Sequence, residues 1–295
     1  MASESLKLPL IVIVGPTASG KTSLAVELAK KFNGEVISAD SRAIYRDMDI
    51  GTAKPTPEEQ EDVPHWGINL VNPGEYYTVA DFREYAFKKI REIRGRGHVP
   101  FLVGGTGLYV DAVIFNYQFM SGPDTILRQN LQHKTVLELI EICNNQNITL
   151  PNNDKNKRYL IRAIENQGVN TNRLQDPLEN TVIVGIATEK THLVGRIAKR
   201  TELLFENGVV EETRILGEEY GWDNEAMKSN IYPLVHQHLD GKLSLDEVKT
   251  KLMTLDWRLA KRQLTWLRRN KFIHWLSLSD AEKYIYDQLA ITEQS

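Results

Sequence analysis

Residues 15–22 read Gly-Pro-Thr-Ala-Ser-Gly-Lys-Thr, the G-x-x-x-x-G-K-[ST] pattern of loops that hold phosphate groups. Glycines in such a loop let successive backbone amides converge on phosphate oxygens, and the helix that follows adds the partial positive charge of its N-terminus. Gly15, Pro16, Thr17, Ala18, Ser19, Gly20, Lys21 and Thr22 are therefore candidate diphosphate ligands. Lys21 contributes a full charge, and Thr22 a hydroxyl suited to a Mg²⁺ ion. The loop type is shared with nucleotide-binding and ATP-binding proteins, but the pattern itself specifies only a phosphate or diphosphate.

Asp40 stands in Ser-Ala-Asp-Ser-Arg (38–42), directly after a predicted strand. Ligands of open parallel sheets lie beyond the carboxyl ends of strands, so Asp40 should face the phosphate loop as a Mg²⁺ ligand or a base. The competing reading is a turn-forming Asx residue. Val-Gly-Gly-Thr-Gly-Leu-Tyr (103–109) follows another strand and allows close backbone approach at the same sheet edge. Of the seven histidines, only His236 and His238 are closely spaced, which makes a poor metal set.

These groups need a frame, and the chain supplies one. Leu8–Val14, Glu35–Ser38, His65–Leu70 and Val99–Val103 read as strands, with helices at Gly20–Phe32 and Thr78–Arg94 between them, the latter opened by a Thr78-x-x-Asp81 capping box. From Tyr117 the chain becomes polar and Asn-rich until a helical pattern resumes at Tyr159–Glu165. Thr181–Ala187 reads as a returning strand, followed by a helix through Arg196 and Arg200. A long helix spans about Ser244–Asn270, with Leu252, Leu255, Leu259 and Trp266 near one stripe and basic residues on another. The expectation is an α/β fold, a P-loop NTPase-like parallel sheet flanked by helices with a small, mainly helical insert. Its divisions are a first core part at 1–116, the insert at 117–178, and a second core part with the basic C-terminal helix at 179–295.

Composition narrows the function classes. The 295 residues are 41% hydrophobic and 25% charged, ordinary for a folded soluble domain. One cysteine, Cys143, excludes an intrachain disulfide framework and a thiolate zinc site. No apolar run approaches the roughly 20 residues that span a bilayer, so a cytoplasmic protein without a membrane partner is expected, and a monomer. Net charge is −3. Yet Lys249, Lys251, Arg258, Lys261, Arg262, Arg268, Arg269 and Lys271 fall in one stretch broken by a single acid, Asp256. A second cluster holds Lys155, Lys157, Arg158 and Arg162. Trp257 and Trp266 lie within the first stretch; basic surface interleaved with aromatics suits nucleic acid, although Trp266 is expected in the core.

The words at 15–22, Val-Ile-Ser-Ala-Asp-Ser-Arg (36–42), Asp-Met-Asp-Ile-Gly-Thr-Ala-Lys-Pro (47–55) and Val-Gly-Gly-Thr-Gly-Leu-Tyr (103–109) resemble the bacterial tRNA dimethylallyltransferase (tRNA isopentenyltransferase) family. The resemblance continues through Tyr76–Phe82, residues 158–165, Arg196–Gly208 and Leu-Ala-Lys-Arg-Gln-Leu-Thr-Trp-Leu-Arg (259–268).

That resemblance implies transfer of a dimethylallyl group from dimethylallyl diphosphate to the exocyclic amine of the adenine 3′ of the anticodon, in tRNAs reading codons that start with U. It makes Asp40 the general base, and has Thr17, Lys21, the loop amides, Arg200 and Mg²⁺ stabilise the departing diphosphate. Asp40, Ser41, Arg42, Ala43 and Thr106 would hold a flipped nucleotide. Arg128, Lys157, Arg158 and Arg162 in the insert, with Lys261 and Arg262, would grip the anticodon stem-loop. The chain departs from the family's pattern in a shortened insert, in Asp256 where a threonine is usual, and in Asn230-Ile231-Tyr232 where a glycine-tyrosine word is expected. The alternatives are a free-nucleotide isopentenyltransferase, a small-metabolite P-loop kinase, and a tRNA-binding protein without catalysis; intact Lys21, Thr22 and Asp40 argue against the last.

Overall fold

The computed structural model describes residues 8–119, 125–151, 153–167 and 172–293. The chain divides into two compact units, residues 1–114 with 177–295, and residues 115–176.

The first unit is built on a sheet whose strands all pair in parallel, in the order β3-β2-β4-β1-β5-β6. In chain order its elements begin β1 (Leu10–Val14), α1 (Lys21–Lys31), β2 (Gly34–Ser38), α2 (Pro57–Gln60), β3 (His65–Trp66), α3 (Val79–Gly95), β4 (Val99–Gly104) and α4 (Gly107–Ile114). Strand β1 is buried along its whole length, as its unbroken apolar run requires of a strand covered on both faces. It pairs with β4 on one side and β5 (Thr181–Ile186) on the other. The capping box at Thr78 and Asp81 forms as expected.

Strand β3 is shorter than the expected His65–Leu70. Gly67 has φ +81°, and a Cβ there would stand 2.7 Å from the Ser38 carbonyl oxygen; Asn69 also has positive φ. These two residues turn the chain out of the sheet after Trp66. What holds this edge is Glu35, whose carboxylate accepts from Arg96 Nε and NH2 (2.9 and 2.8 Å) and Trp66 Nε1 (2.6 Å), and sits 2.7 Å from His98 Nδ1. Burial pushes the Glu35 carboxyl up, and these hydrogen bonds outweigh it, leaving it below the usual carboxylate range.

The second unit, residues 115–176, contains α5 (Thr125–Gln132), α6 (Val136–Asn145) and α7 (Lys157–Glu165). Leu131, Leu139, Cys143, Ile148, Leu160, Ile161 and Ile164 form its core. The Asn-rich stretch thus holds helix, and α6 opens with a capping box between Thr135 and Glu138.

After β5 the first unit resumes with α8 (Lys190–Glu206), α9 (Val209–Tyr220), α10 (Tyr232–Leu239), α11 (Leu245–Leu267), β6 (His274–Leu276) and α12 (Leu278–Glu293). Helix α11 buries Val248, Leu252, Asp256, Ala260 and Leu267. This i, i+4 line passes through an acid, so Leu255 and Leu259, expected on the packed stripe, are only half-buried. Asp256 accepts a hydrogen bond from Asn230 Nδ2 at 2.8 Å. Two of the three departures named from the sequence, Asp256 and Asn230, therefore satisfy each other.

Candidate active site

Residues 15–20 join the end of β1 to α1, and the loop is braced from three directions. Arg196 NH1 on α8 donates to the Ser19 carbonyl at 2.8 Å. One turn later, Arg200 NH1 donates to Thr17 Oγ1, and its NH2 reaches the Thr52 carbonyl at 3.4 Å. From α11, Gln263 Oε1 accepts the Thr17 amide hydrogen at 2.8 Å. Because Arg200 uses a lone pair of Thr17 Oγ1, the hydroxyl hydrogen stays available to an anion.

Lys21 Nζ donates to the Pro16 carbonyl at 3.2 Å. Burial pushes its ammonium down to about 8 from the ordinary 10.5; the Asp40 carboxylate pulls it back up, and Arg200 pushes it down. A cation held so far below its usual range is poised for an anionic ligand that restores its charge. Ser19 Oγ and Arg200 Nε are buried without a hydrogen-bond partner. Two unspent donors beside a lysine are what a diphosphate would satisfy.

The donor set suits Mg²⁺ as well. Thr22 and Asp40 offer hard oxygens, and Mg²⁺ binds through one or two protein oxygens plus substrate phosphates and water. Among the described residues no group of three or more His, Cys, Asp or Glu side chains is placed to hold a metal ion, so an ion here would rely on the diphosphate for most of its ligands.

Asp40 lies just past the end of β2. Its Oδ1 accepts the Arg42 amide hydrogen at 2.8 Å, so the Asx turn is real. That bond engages one carboxylate oxygen, so the turn does not exclude a role for Asp40 as a base. Thr106 Oγ1 accepts the Ser41 amide hydrogen at 3.1 Å, and the Thr106 amide donates to the Ala39 carbonyl at 3.2 Å. Gly104 permits this closeness, because a Cβ there would stand 2.2 Å from the Ala39 carbonyl oxygen. The loop at 15–22, Asp40, Ser41, Thr106 and Arg200 are thus gathered at one end of the sheet. Ala43 is buried, and Arg42 NH1 donates to the Glu225 carbonyl at 2.9 Å.

Sequence reasoning missed three supports: Arg196, Gln263 and Glu212. The Glu212 carboxylate accepts the amide hydrogens of Asp49, Ile50 and Gly51 (2.9, 2.6 and 2.8 Å) and the Tyr232 hydroxyl (2.9 Å). It thereby anchors the segment whose Thr52 carbonyl receives Arg200. No spacing rule connects residues 161 to 163 positions apart.

On α11, Lys251, Arg258, Lys261 and Arg262 are exposed, as are Arg268, Arg269 and Lys271 beyond its end, whereas Lys249 is paired with Glu202. Trp257 packs against the buried cluster of Leu193, Ile197 and Ala260, with the Lys190 and Lys261 ammonium groups 5.8 and 5.6 Å from its ring centre. Trp266 is half-buried rather than core, because its Nε1 donates to Asp111 Oδ2 at 2.7 Å. In the second unit, Arg158 is exposed and Lys157 Nζ donates to the Gln132 carbonyl at 2.5 Å. Arg162 reaches Glu165 at 3.5 Å. Arg128, expected among the RNA-binding residues, is half-buried and paired within that unit: its Nε and NH2 clamp Glu165 at 2.6 and 2.7 Å. A bidentate pair on a buried carboxylate bolts α5 to α7.

Comparison with known proteins identifies the family. The IPP transferase family model matches residues 43–270, and an isopentenyl transferase model matches residues 8–66. The tRNA dimethylallyltransferase of Bacillus anthracis is 37% identical over 287 residues, spanning 92% of this chain and 91% of that protein. The solved full-length tRNA isopentenylpyrophosphate transferase of Bacillus halodurans is 36% identical, with a TM-score of 0.74 over 98% of this chain and 99% of that one. A second solved structure, the tRNA delta(2)-isopentenylpyrophosphate transferase of Staphylococcus epidermidis, gives 34% identity and a TM-score of 0.71, covering 95% of this chain and 98% of that one. With its P-loop core, its gathered Asp40, Thr106 and Arg200, and relatives matched along nearly their whole length, the chain belongs to the IPP transferase family.

Proposed function

We propose that this protein transfers a dimethylallyl group from dimethylallyl diphosphate to the N6 amine of the adenine 3′ of the anticodon, in tRNAs reading codons that start with U. The observation that carries the reading is the convergence, at one end of the sheet, of a phosphate-type loop with its depressed lysine and unspent donors and a carboxylate fixed just past β2.

In this reading the amine nitrogen attacks C1 of the dimethylallyl group as the C1–O bond breaks. The bonding electrons leave with the diphosphate, and the amine proton passes to the Asp40 carboxylate, since the exocyclic amine is a poor nucleophile until that proton is removed. Lys21, the Thr17 hydroxyl, Arg200 and the loop amides stabilise the charge gathering on the leaving group. Mg²⁺, held by Thr22 with the diphosphate, would neutralise further charge there. Ser41, Arg42, Ala43 and Thr106 would retain the adenine once it leaves the loop stack. Lys261, Arg262, Lys157, Arg158 and Arg162 would neutralise stem phosphates. No helix among the described residues is long and apolar enough to cross a membrane, and a tRNA substrate puts the reaction in the cytoplasm.

The test is release of inorganic diphosphate from dimethylallyl diphosphate by the purified protein, offered either tRNA or AMP. Release that depends on tRNA is expected. Release driven by AMP would make the enzyme a free-nucleotide isopentenyltransferase.

A further inference from the structure

One turn of α11 presents two different faces. Lys261 and Arg262 are exposed, while Gln263, next in sequence, turns inward. Its Oε1 takes the Thr17 amide hydrogen at 2.8 Å. Its Nε2 occupies the space left by a missing side chain at Gly105, where a Cβ would stand 2.4 Å from that nitrogen and 3.1 Å from the Gly15 carbonyl oxygen. Gln263 is thus wedged between the diphosphate loop and the glycine turn that carries Thr106.

Thr17 has little freedom once so held. It is 8% exposed, its amide is fixed by Gln263 and its hydroxyl by Arg200. Nor can the end of α11 slide independently of the turn after β4. Trp266 donates to Asp111 on α4, and its ring fills the position that a Gly107 side chain would take, 2.1 Å from a Cβ built there. A load placed on the exposed cations of this turn therefore has a packed route, one residue long, to an amide of the diphosphate loop.

We propose that Gln263 is a positioning residue that couples RNA seated on the Lys261–Arg262 face of α11 to the geometry of Thr17, and hence to diphosphate affinity. The identity of the two ligands rests on the function proposed above.

The experiment titrates inorganic diphosphate into the full-length protein by calorimetry, with and without a saturating anticodon stem-loop RNA, for the wild type and Gln263→Met. The substitution keeps length and bulk while removing the acceptor. RNA is expected to tighten wild-type diphosphate binding at least about fivefold, or ~1 kcal/mol. In Gln263→Met the factor should fall below about twofold while affinity for the RNA alone is kept. Gln263→Glu, which retains an acceptor for the Thr17 amide, should preserve the factor even though its charge weakens diphosphate binding outright. If Gln263→Met melts early, Gln263→Ala gives the same reading. An equal factor in the wild type and the apolar variants, or no coupling in the wild type, would overturn the proposal. Prenyl transfer to tRNA measured on the same samples separates the cases. Transfer with coupling indifferent to residue 263 sinks only this inference, whereas a wild type that neither binds the RNA nor modifies it sinks the functional reading and this inference together.

Discussion

Lys21 should cost the fold stability in exchange for affinity, and the cost has a defined pH window. Its folded pKa is about 8 against the ordinary 10.5, with burial as the main cause. Between those two values the unfolded chain holds a proton that the folded chain has released, so stability rises with pH across the window. Below about pH 8 both states are charged and the whole penalty is present, on the order of 3 kcal/mol. Lys21→Met removes it. At pH 7 the variant should therefore melt higher than the wild type, by on the order of 5–10 °C for a unit of this size, and the two curves should converge as pH approaches 10.5. The same variant should lose turnover by about 10²-fold or more, because the leaving diphosphate loses its principal cation. Binding of diphosphate to the wild type should raise the Lys21 pKa again. At pH 9 it should take up protons, seen as a binding enthalpy that changes with the ionisation enthalpy of the buffer. Thermal melts of both proteins across pH 7–10.5 check the argument. A Lys21→Met protein that melts lower at pH 7, or whose advantage does not shrink with pH, would refute it.

Three further outcomes are expected. Asp40→Asn should bind tRNA normally yet turn over about 10²–10⁴-fold more slowly at saturation, measured by steady-state kinetics; lost binding with a surviving rate would make Asp40 a binding residue. The combined change Lys157→Ala, Arg158→Ala should raise the KM for tRNA about tenfold, or ~1.4 kcal/mol, with kcat little changed, the sign of uniform binding energy; an unchanged KM would shift the grip to α11. Asn230→Ala should lower stability in urea by about 2 kcal/mol, since it strands the buried Asp256 carboxylate. In an Asp256→Thr background it should cost less than half of that, and equal costs in both backgrounds would show that the pair is not coupled.

How much of this was legible in the sequence depended on how local the physics was. The loop at 15–22 and the strands around it could be placed directly, because a phosphate-type loop demands particular residues in order between a strand and a helix, and β1 demands an apolar run. Asp40 could be placed from its strand end, and its Asx bond, which engages only Oδ1, is compatible with the expected base as well as with a turn. Helix α6 carried a readable signal, Thr135-x-x-Glu138, masked by the asparagines around it. The rest was long-range. Gln263 sits inside a basic run and reads as surface, yet its partner is 246 residues away. Arg128 reads as one more cation for RNA until Glu165, 37 residues on, claims it. Asp256 interrupts the buried line of α11, and only its contact with Asn230 makes that tolerable.

The transfer chemistry and its address on the RNA are read together when a tRNA that reads U-starting codons is incubated with dimethylallyl diphosphate, Mg²⁺ and this protein, and the modified nucleoside is mapped by nuclease digestion and mass spectrometry. One C5H8 unit added to N6 of the adenine immediately 3′ of the anticodon is expected, absent with Asp40→Asn. A tRNA returned unmodified, or carrying the group at another nucleotide, would contradict the proposed function.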